Sequence, residues 1–277
     1  MGEAMKILRA FAEIDEGQVH YMHAGSDSGG HLPLVMIPHG AAAEQARLIS
    51  ALGDGRRVYS VELLGMGDSA PPPGAEPGMT DFAEALMRTL DALGLDRFDL
   101  YGAHQGACAA AEIAVLAPGR VHKLVLDGVG HFDDPSFKAD LIDNYMPPMQ
   151  IDHMGTQVRF VWHYVRDSFL FWPYYMRDAE HALDDGLPSA GVLHDKVVDT
   201  LKSARTLHKN LKATFAYPTH ERLSKITVPT LVSRMDAVVG VIPDCTQTDH
   251  GFYDPAQSTD ETVAAIAASM RDFLDGA

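Results

Sequence analysis

Residues 98–114 read FDLYGAHQGACAAAEIA and predict a strand, a sharp turn and a helix in direct succession. The run Phe98–Tyr101 has apolar ends and is typical of a strand. Two glycines, Gly102 and Gly106, flank the residue at the apex of the turn, which is His104. A helix of small residues follows. The function of the chain therefore depends on what a histidine does at this apex.

Strands and helices alternate along most of the chain on both sides of this stretch. The run 32–38 is continuously apolar, which is typical of a strand buried in a parallel sheet. Thr80 is predicted to cap a helix that ends at Gly94, and a capping-box pattern at 258–261 opens the last helix. The alternation predicts an α/β fold, a three-layer sandwich with a mostly parallel central sheet. The predicted strands are 6–14, 18–24, 32–38, 57–63, 98–101, 121–127 and 227–233, and a further helix is predicted at 43–52.

The segment 131–220 breaks this alternation and reads as helical throughout. We predict that it is a helical cap inserted into a core domain formed by residues 1–130 and 221–277. Eight aromatic residues lie between positions 160 and 175, and both tryptophans are among them. These side chains either form the cap's own core or line an apolar pocket, and both readings stay open. The candidates for substrate contact are Trp162, Phe169 and Trp172.

The composition is that of a globular protein. Of the 277 residues, 46% are apolar and 22% are charged, and the formal net charge is −16. Nucleic acid and anionic membrane surfaces require a cationic face, so we expect neither as a partner. Two cysteines, no long apolar stretch and no signal-peptide pattern predict a cytoplasmic protein. We expect a small-molecule substrate and no cofactor, and the sequence leaves a homodimer open.

Five motifs, in this order along the chain, resemble those of the α/β-hydrolase superfamily. The stretch 98–114 resembles its nucleophile elbow, Gly-x-Ser-x-Gly, with histidine in the serine position. The resemblance covers nearly the whole chain and implies an α/β-hydrolase fold and chemistry on a carbonyl compound. The other four motifs are His39-Gly40 after an apolar strand, the Gly65-x-Gly67-x-Ser69 loop, the run 223–232 leading to Asp236, and His250-Gly251.

The resemblance implies a role for each matching position. The backbone N–H groups of Ala41 and Gln105 would form an oxyanion hole. His104 would occupy the place of the nucleophile. Asp236 would be the acid of the triad and His250 its base, in the superfamily's chain order.

The spacing of the implied acid and base departs from the superfamily's pattern. Thirteen residues separate Asp236 from His250, which leaves room for a turn and a short strand only. Asp127, at the end of the preceding predicted strand, is therefore a second candidate acid, although it also reads as a structural carboxylate. His39 is a candidate for substrate contact, and a local structural hydrogen bond is its alternative role.

Four readings of the apex histidine are open. It is a general base or nucleophile, because an imidazole with a pKa near 6.5 takes up a proton at neutral pH. It is a metal ligand with His250, His39 and a carboxylate, in a set that suits zinc or iron. It is a hydrogen-bonding group in a module that only binds. In the fourth reading the nucleophile is another residue, Cys108 or Ser69.

The leading hypothesis is a hydrolase that acts on a small apolar or aromatic carbonyl compound, an ester, a thioester or a C–C bond next to a carbonyl. His104 would activate water without an acyl-serine intermediate, and His250 would be its partner. The runner-up is a cofactor-free lyase or isomerase that uses the same two histidines as acid and base. Metal-assisted hydrolysis and a non-catalytic binding module are the remaining hypotheses.

Overall fold

Eight strands form one sheet in the computed structural model, which describes residues 5–184, 186–233 and 237–276. The strands are β1 (Leu8–Ile14), β2 (Gly17–Ala24), β3 (Leu34–Ile37), β4 (Val58–Val61), β5 (Phe98–Ala103), β6 (Val121–Asp127), β7 (Thr230–Val232) and β8 (Cys245–Gln247).

The sheet is mostly parallel. Its strand order is β1-β2-β4-β3-β5-β6-β7-β8, and only the pairs β1/β2 and β2/β4 are antiparallel. The predicted hairpin therefore forms one edge, and β5 lies near the centre between β3 and β6. The predicted α/β fold with a mostly parallel sheet is confirmed.

Helices cover both faces of the sheet. Side chains alternate along β3, so that Val35 and Ile37 face one apolar core while Leu34 and Met36 face the other. The first core includes α2 and α3, and the second includes α1 and α9. The helices of the described residues are α1 (Ala46–Leu52), α2 (Met79–Ala92), α3 (Gln105–Leu116), α4 (Pro135–Asn144), α5 (Thr156–Asp167), α6 (Ala190–Lys202), α7 (Leu207–Ala216), α8 (Thr219–Leu223) and α9 (Asp260–Asp275).

Helices α4 to α7 lie between β6 and β7 in the chain, within the segment predicted as a cap. A small apolar cluster of Val161, Val165, Leu193 and Val197 packs α5 against α6. It is separate from the two cores beside the sheet. The domain boundaries at 130 and 221 stay a prediction. No helix among the described residues is long and apolar enough to cross a membrane.

The start of α2 differs from the sequence prediction. Thr80 lies inside this helix, and Gly78 precedes its first residue. The carboxylate of Asp81 accepts the N–H of Gly78 at 2.7 Å, so an acidic side chain caps the helix in place of a threonine. Thr80 donates its hydroxyl to Glu112 of α3 at 2.9 Å, which explains why a polar residue is found at this position. The last helix begins one residue after Thr259, whose hydroxyl accepts the N–H of Thr262.

Candidate active site

The turn between β5 and α3 holds His104 in a backbone conformation that L residues rarely adopt. Its φ is +50° and its ψ is −111°, and no other non-glycine residue of the described ranges has a positive φ. Such a conformation costs about 1–3 kcal/mol and persists where the surroundings fix it. The N–H of His104 donates to the carbonyl of Asp127 at 2.9 Å, and its own carbonyl accepts the N–H of Ala107 at 3.0 Å. The turn therefore presents the imidazole at the carboxyl end of β5.

Gly102 and Gly106 are needed because the backbone packs closely on both sides of the turn. A Cβ on Gly102 would lie 2.4 Å from the carbonyl oxygen of Gly106. A Cβ on Gly106 would lie 2.2 Å from the carbonyl oxygen of Ile37 in β3. Both distances are too short for any side chain, so only glycine fits at either position.

Two aromatic rings and a glycine surround the imidazole of His104. The ring centroids of His39 and Phe252 each lie 5.0 Å from that of His104, and both rings meet it edge-on. On another side, a Cβ on Gly128 would lie 3.0 Å from both Cε1 and Nδ1 of His104. An imidazole is larger than a serine side chain, and the missing Cβ of Gly128 leaves the extra space that the imidazole requires.

The pKa values of both imidazoles of this pair are lowered, which favours their neutral forms at pH 7. Burial lowers the pKa of His104, and the charges of Asp127 and Asp254 only partly oppose this effect. Desolvation, followed by the charges of His104 and Lys196, holds the pKa of His39 well below its usual value. A neutral imidazole has one nitrogen free to accept a proton, so the pair is in the form that a general base requires.

The two backbone N–H groups proposed for the oxyanion hole have no hydrogen-bond partner among the described residues. Gln105 is the first residue of α3, where an N–H has no partner within the helix. Neither this N–H nor that of Ala41 donates to another backbone or side-chain group among the described residues. Their assignment to an oxyanion hole stays a prediction.

A buried carboxylate that the sequence analysis missed fixes the loops on this side of the cleft. Glu62 accepts the N–H of Ala42 at 2.9 Å and the N–H of Asp68 at 3.0 Å. It also bonds the imidazole of His20 at 2.9 Å and the hydroxyl of Ser69 at 3.2 Å. Glu62 thus joins the loop after β3 to the glycine-rich loop after β4.

Asp127 ends β6 beside the turn that carries His104. Its Oδ2 accepts the hydroxyl of Tyr101 at 2.7 Å and the N–H of Tyr253 at 2.9 Å. Its Oδ1 is buried and has no partner among the described residues. Burial raises the pKa of Asp127 above its usual value, although these hydrogen bonds oppose that effect. These contacts fit the structural reading of Asp127, and its role as an acid stays untested.

The structure does not bring His250 into ring contact with His104. His250 lines a cavity of about 20 Å³ together with Asp127, Tyr101 and Ser233. Phe252, two residues later in the same loop, is the side chain that meets the His104 ring. Asp236 lies outside the described residues. The predicted pairing of His250 with Asp236 and His104 therefore stays a prediction.

Neither alternative nucleophile is available for chemistry. Cys108 is fully buried in α3, and this burial raises the pKa of its thiol to about 12. The hydroxyl of Ser69 donates to Glu62 and accepts the N–H of His20, so it is engaged in the loop contacts. Among the described residues, no three side chains of His, Cys, Asp or Glu are grouped so as to hold a metal ion.

The predicted aromatic contacts occupy different positions in the cap. Trp162 and Trp172 are each about two-fifths exposed, and Phe169 packs against the small cluster between α5 and α6. The ring of Trp172 lies 5.5 Å from that of Tyr145, in a group of tyrosines that belongs to the first core beside the sheet. Their contact with a substrate stays a prediction.

A charged pair joins α6 to the 3₁₀ turn that follows Ala41. Nζ of Lys196, in α6, lies 3.1 Å from Oε1 of Glu44, in the 3₁₀ turn that follows Ala41. Both residues line a cavity of about 420 Å³ with Tyr253. Sequence reasoning missed this pair because nothing distinguishes Lys196 from the other lysines of the cap before the helix is placed.

Comparison with known protein families supports the fold. A family model described as alpha/beta hydrolase fold matches residues 33–168, which include the turn at His104. A 2-hydroxymuconate semialdehyde hydrolase of Pseudomonas sp. (strain CF600) is 34% identical over 128 residues, 44% of this chain and 45% of that protein. A 1-acylglycerol-3-phosphate O-acyltransferase of Homo sapiens is 33% identical over 131 residues, 45% of this chain and 36% of that protein. The matches therefore span less than half the length of these relatives.

Solved structures agree over nearly the whole chain. A hydrolase from Pseudomonas aeruginosa superposes with a TM-score of 0.69 at 20% identity, covering 97% of this chain and 98% of the other. The enol-lactonase from Burkholderia xenovorans superposes with a TM-score of 0.68 at 16% identity, covering 96% and 100%. At this identity the likeness concerns the fold.

Proposed function

We propose that the chain belongs to the α/β-hydrolase superfamily and is a hydrolase of small carbonyl compounds in which His104 activates water. The family model and the likeness of fold to solved structures support this place. The observation that carries the proposal is the neutral imidazole at the apex of the turn, where the superfamily's usual pattern has serine. The relatives named as hydrolases carry oxo compounds or semialdehydes in their names, which favours a carbonyl substrate.

The proposed reaction begins with a water molecule held between His104 and the substrate carbonyl. His104 takes a proton from the water as the oxygen attacks the carbonyl carbon. The electron pair of the C=O bond moves to the oxygen and forms a tetrahedral oxyanion. When this intermediate collapses, the C=O bond is restored and the leaving group departs with the proton returned by His104. No acyl-serine intermediate arises, because no serine stands at the apex.

The free N–H groups of Ala41 and Gln105 support the oxyanion step. Preorganised backbone donors at this point are worth roughly 10²–10³ in rate per donor in enzymes of known mechanism. His39 is the second imidazole of the site in this proposal. With its pKa well lowered, it stays neutral and can donate one hydrogen bond to the substrate without adding a positive charge beside His104.

The test is a panel of carbonyl substrates assayed with the wild type and with His104→Ala, each with and without a chelator. The panel contains short aryl esters, a thioester and a β-diketone. We expect hydrolysis of at least one class, and a loss of roughly 10²–10⁴ in kcat in the variant, the range for a general base. His194→Ala, which removes an exposed histidine of α6, is the matched control and should keep its activity.

Each contrary outcome favours one of the other hypotheses. Activity that the chelator abolishes favours metal-assisted hydrolysis. Products of elimination or isomerisation, with no uptake of water, favour a lyase or isomerase. Full activity of His104→Ala refutes its role as the base. Tight binding of a panel compound with no turnover by the wild type favours a binding module.

A further inference from the structure

The cap carries one cation into the neighbourhood of the two imidazoles. Lys196 lies on the face of α6 that lines the 420 Å³ cavity. Its positive charge is close enough to lower the pKa of both His39 and His104. The lining of that cavity includes neither imidazole, so the geometric link between Lys196 and the site runs through Glu44 and the turn at Gly40.

Glu44, the ion-pair partner of Lys196, fixes the position of the ammonium relative to the turn at Gly40 and Ala41. Oε1 of Glu44 lies 3.0 Å from the point that a Cβ on Gly40 would occupy. The same oxygen lies 3.1 Å from Nζ of Lys196. The ammonium therefore lies no more than about two hydrogen-bond lengths from that point on Gly40, the residue before Ala41.

Lys196 keeps its charge and has donors to spare. Burial acts to lower its pKa, but the charge and hydrogen bond of Glu44 raise it above the usual value, so the ammonium is protonated throughout the neutral range. An ammonium has three N–H donors. Its hydrogen bond in the described chain goes to Glu44, which leaves donors for a substrate oxygen.

We propose that Lys196 is a catalytic residue whose ammonium contacts the anionic oxygen formed on the substrate carbonyl. Glu44 holds this ammonium beside the turn at Gly40 and Ala41. The inference rests on the proposed hydrolysis at His104. As water attacks and the C=O electron pair moves to oxygen, the ammonium donates a hydrogen bond to that oxygen without transferring a proton. When the C=O bond re-forms and the leaving group departs, the ammonium returns to Glu44 alone.

Because Lys196 belongs to the cap, the oxyanion site is complete only when α6 is docked on the core. A donor of this kind acts on the transition state more than on the neutral substrate. Its loss should therefore lower kcat and leave KM nearly unchanged. A lysine that served only to dock the cap would change both.

The test compares Lys196→Met with Lys212→Met. Lys212, in α7, makes a cap–core ion pair with Glu76 and is the matched control for cap docking. We expect Lys196→Met to lose about 10–10³-fold in kcat with KM within about threefold, in line with the loss of one oxyanion donor. Lys212→Met should keep both constants. Equal effects of the two substitutions would overturn the proposal.

A binding measurement tests the inference without turnover. An aryl trifluoromethyl ketone adopts a tetrahedral, oxyanion-like form, whereas the matching methyl ketone stays a neutral carbonyl. We expect Lys196→Met to weaken binding of the trifluoromethyl ketone by about the same factor as kcat and to leave the methyl ketone unaffected. Equal weakening of both ketones would refute the contact with the oxyanion. A wild type that hydrolyses no substrate would contradict the proposed function, whereas a selective loss of trifluoromethyl ketone binding in Lys196→Met would still support the contact.

Discussion

Replacing the apex histidine by glycine should make the protein more stable than replacing it by alanine. His104→Gly and His104→Ala both remove the imidazole with its contacts to His39 and Phe252. They differ in the backbone, because alanine must still adopt the positive φ of this turn and glycine adopts it without strain. The comparison therefore isolates the strain that the turn imposes.

The size of the difference follows from two opposing terms. A residue other than glycine in such a conformation costs about 1–3 kcal/mol. Glycine lowers the free energy of unfolding by about 0.4–1 kcal/mol relative to alanine, because the unfolded chain is more flexible with glycine. The free energy of unfolding of His104→Gly should therefore exceed that of His104→Ala by about 1 kcal/mol. For a chain of this size the midpoint of thermal unfolding should differ by roughly 2–4 °C.

Urea unfolding followed by circular dichroism measures the difference directly. The slope against urea should be the same in both variants, which shows that the comparison is of stability alone. An alanine variant that is as stable as the glycine variant, or more stable, would refute the idea that the turn is strained and held for function.

Two further predictions concern the same imidazole. Gly128→Ala should lower the free energy of unfolding of the wild type by roughly 2–4 kcal/mol, because alanine must adopt a positive φ and its Cβ meets the His104 ring. In the His104→Ala background the loss should be smaller by about 1–2 kcal/mol. Equal losses in the two backgrounds, measured by urea unfolding, would contradict the contact between Gly128 and His104. Because burial lowers the pKa of His104, activity should be lost only as the pH falls below the usual value near 6.5. A pH profile of kcat/KM with its acid limb above 6.5 would contradict a buried, neutral base.

Most of the fold could be predicted because it follows from local patterns. Period-2 and continuous apolar runs marked the strands, and β6 has the predicted bounds, Val121–Asp127. The short connection before His250 left room for one short strand, and β8 is three residues long. The predicted start of α2 was wrong. A threonine is a common helix cap, and only the packed structure shows that Thr80 donates a hydrogen bond to Glu112.

The site could be predicted only where the chain itself brings residues together. The turn motif identified His104 and its two glycines, since these are neighbours in sequence. The residues around the ring, Phe252 and Gly128, come from other loops, and their packing depends on the whole sheet. Lys196 of α6 and Glu44 are far apart in the chain and meet only in the folded protein, a contact with no local signal.

Chemical rescue of the glycine variant by free imidazole tests the role of His104 most directly. His104→Gly leaves a space beside His39 and Phe252 that an imidazole molecule from solution can enter. We predict that its kcat falls by roughly 10²–10⁴, and that added imidazole restores part of the rate in proportion to its unprotonated fraction, with saturation. Pyrazole, which has a similar shape and is far less basic, should not restore the rate. A glycine variant that binds the methyl ketone as the wild type does, but gains no activity from imidazole, would contradict the account.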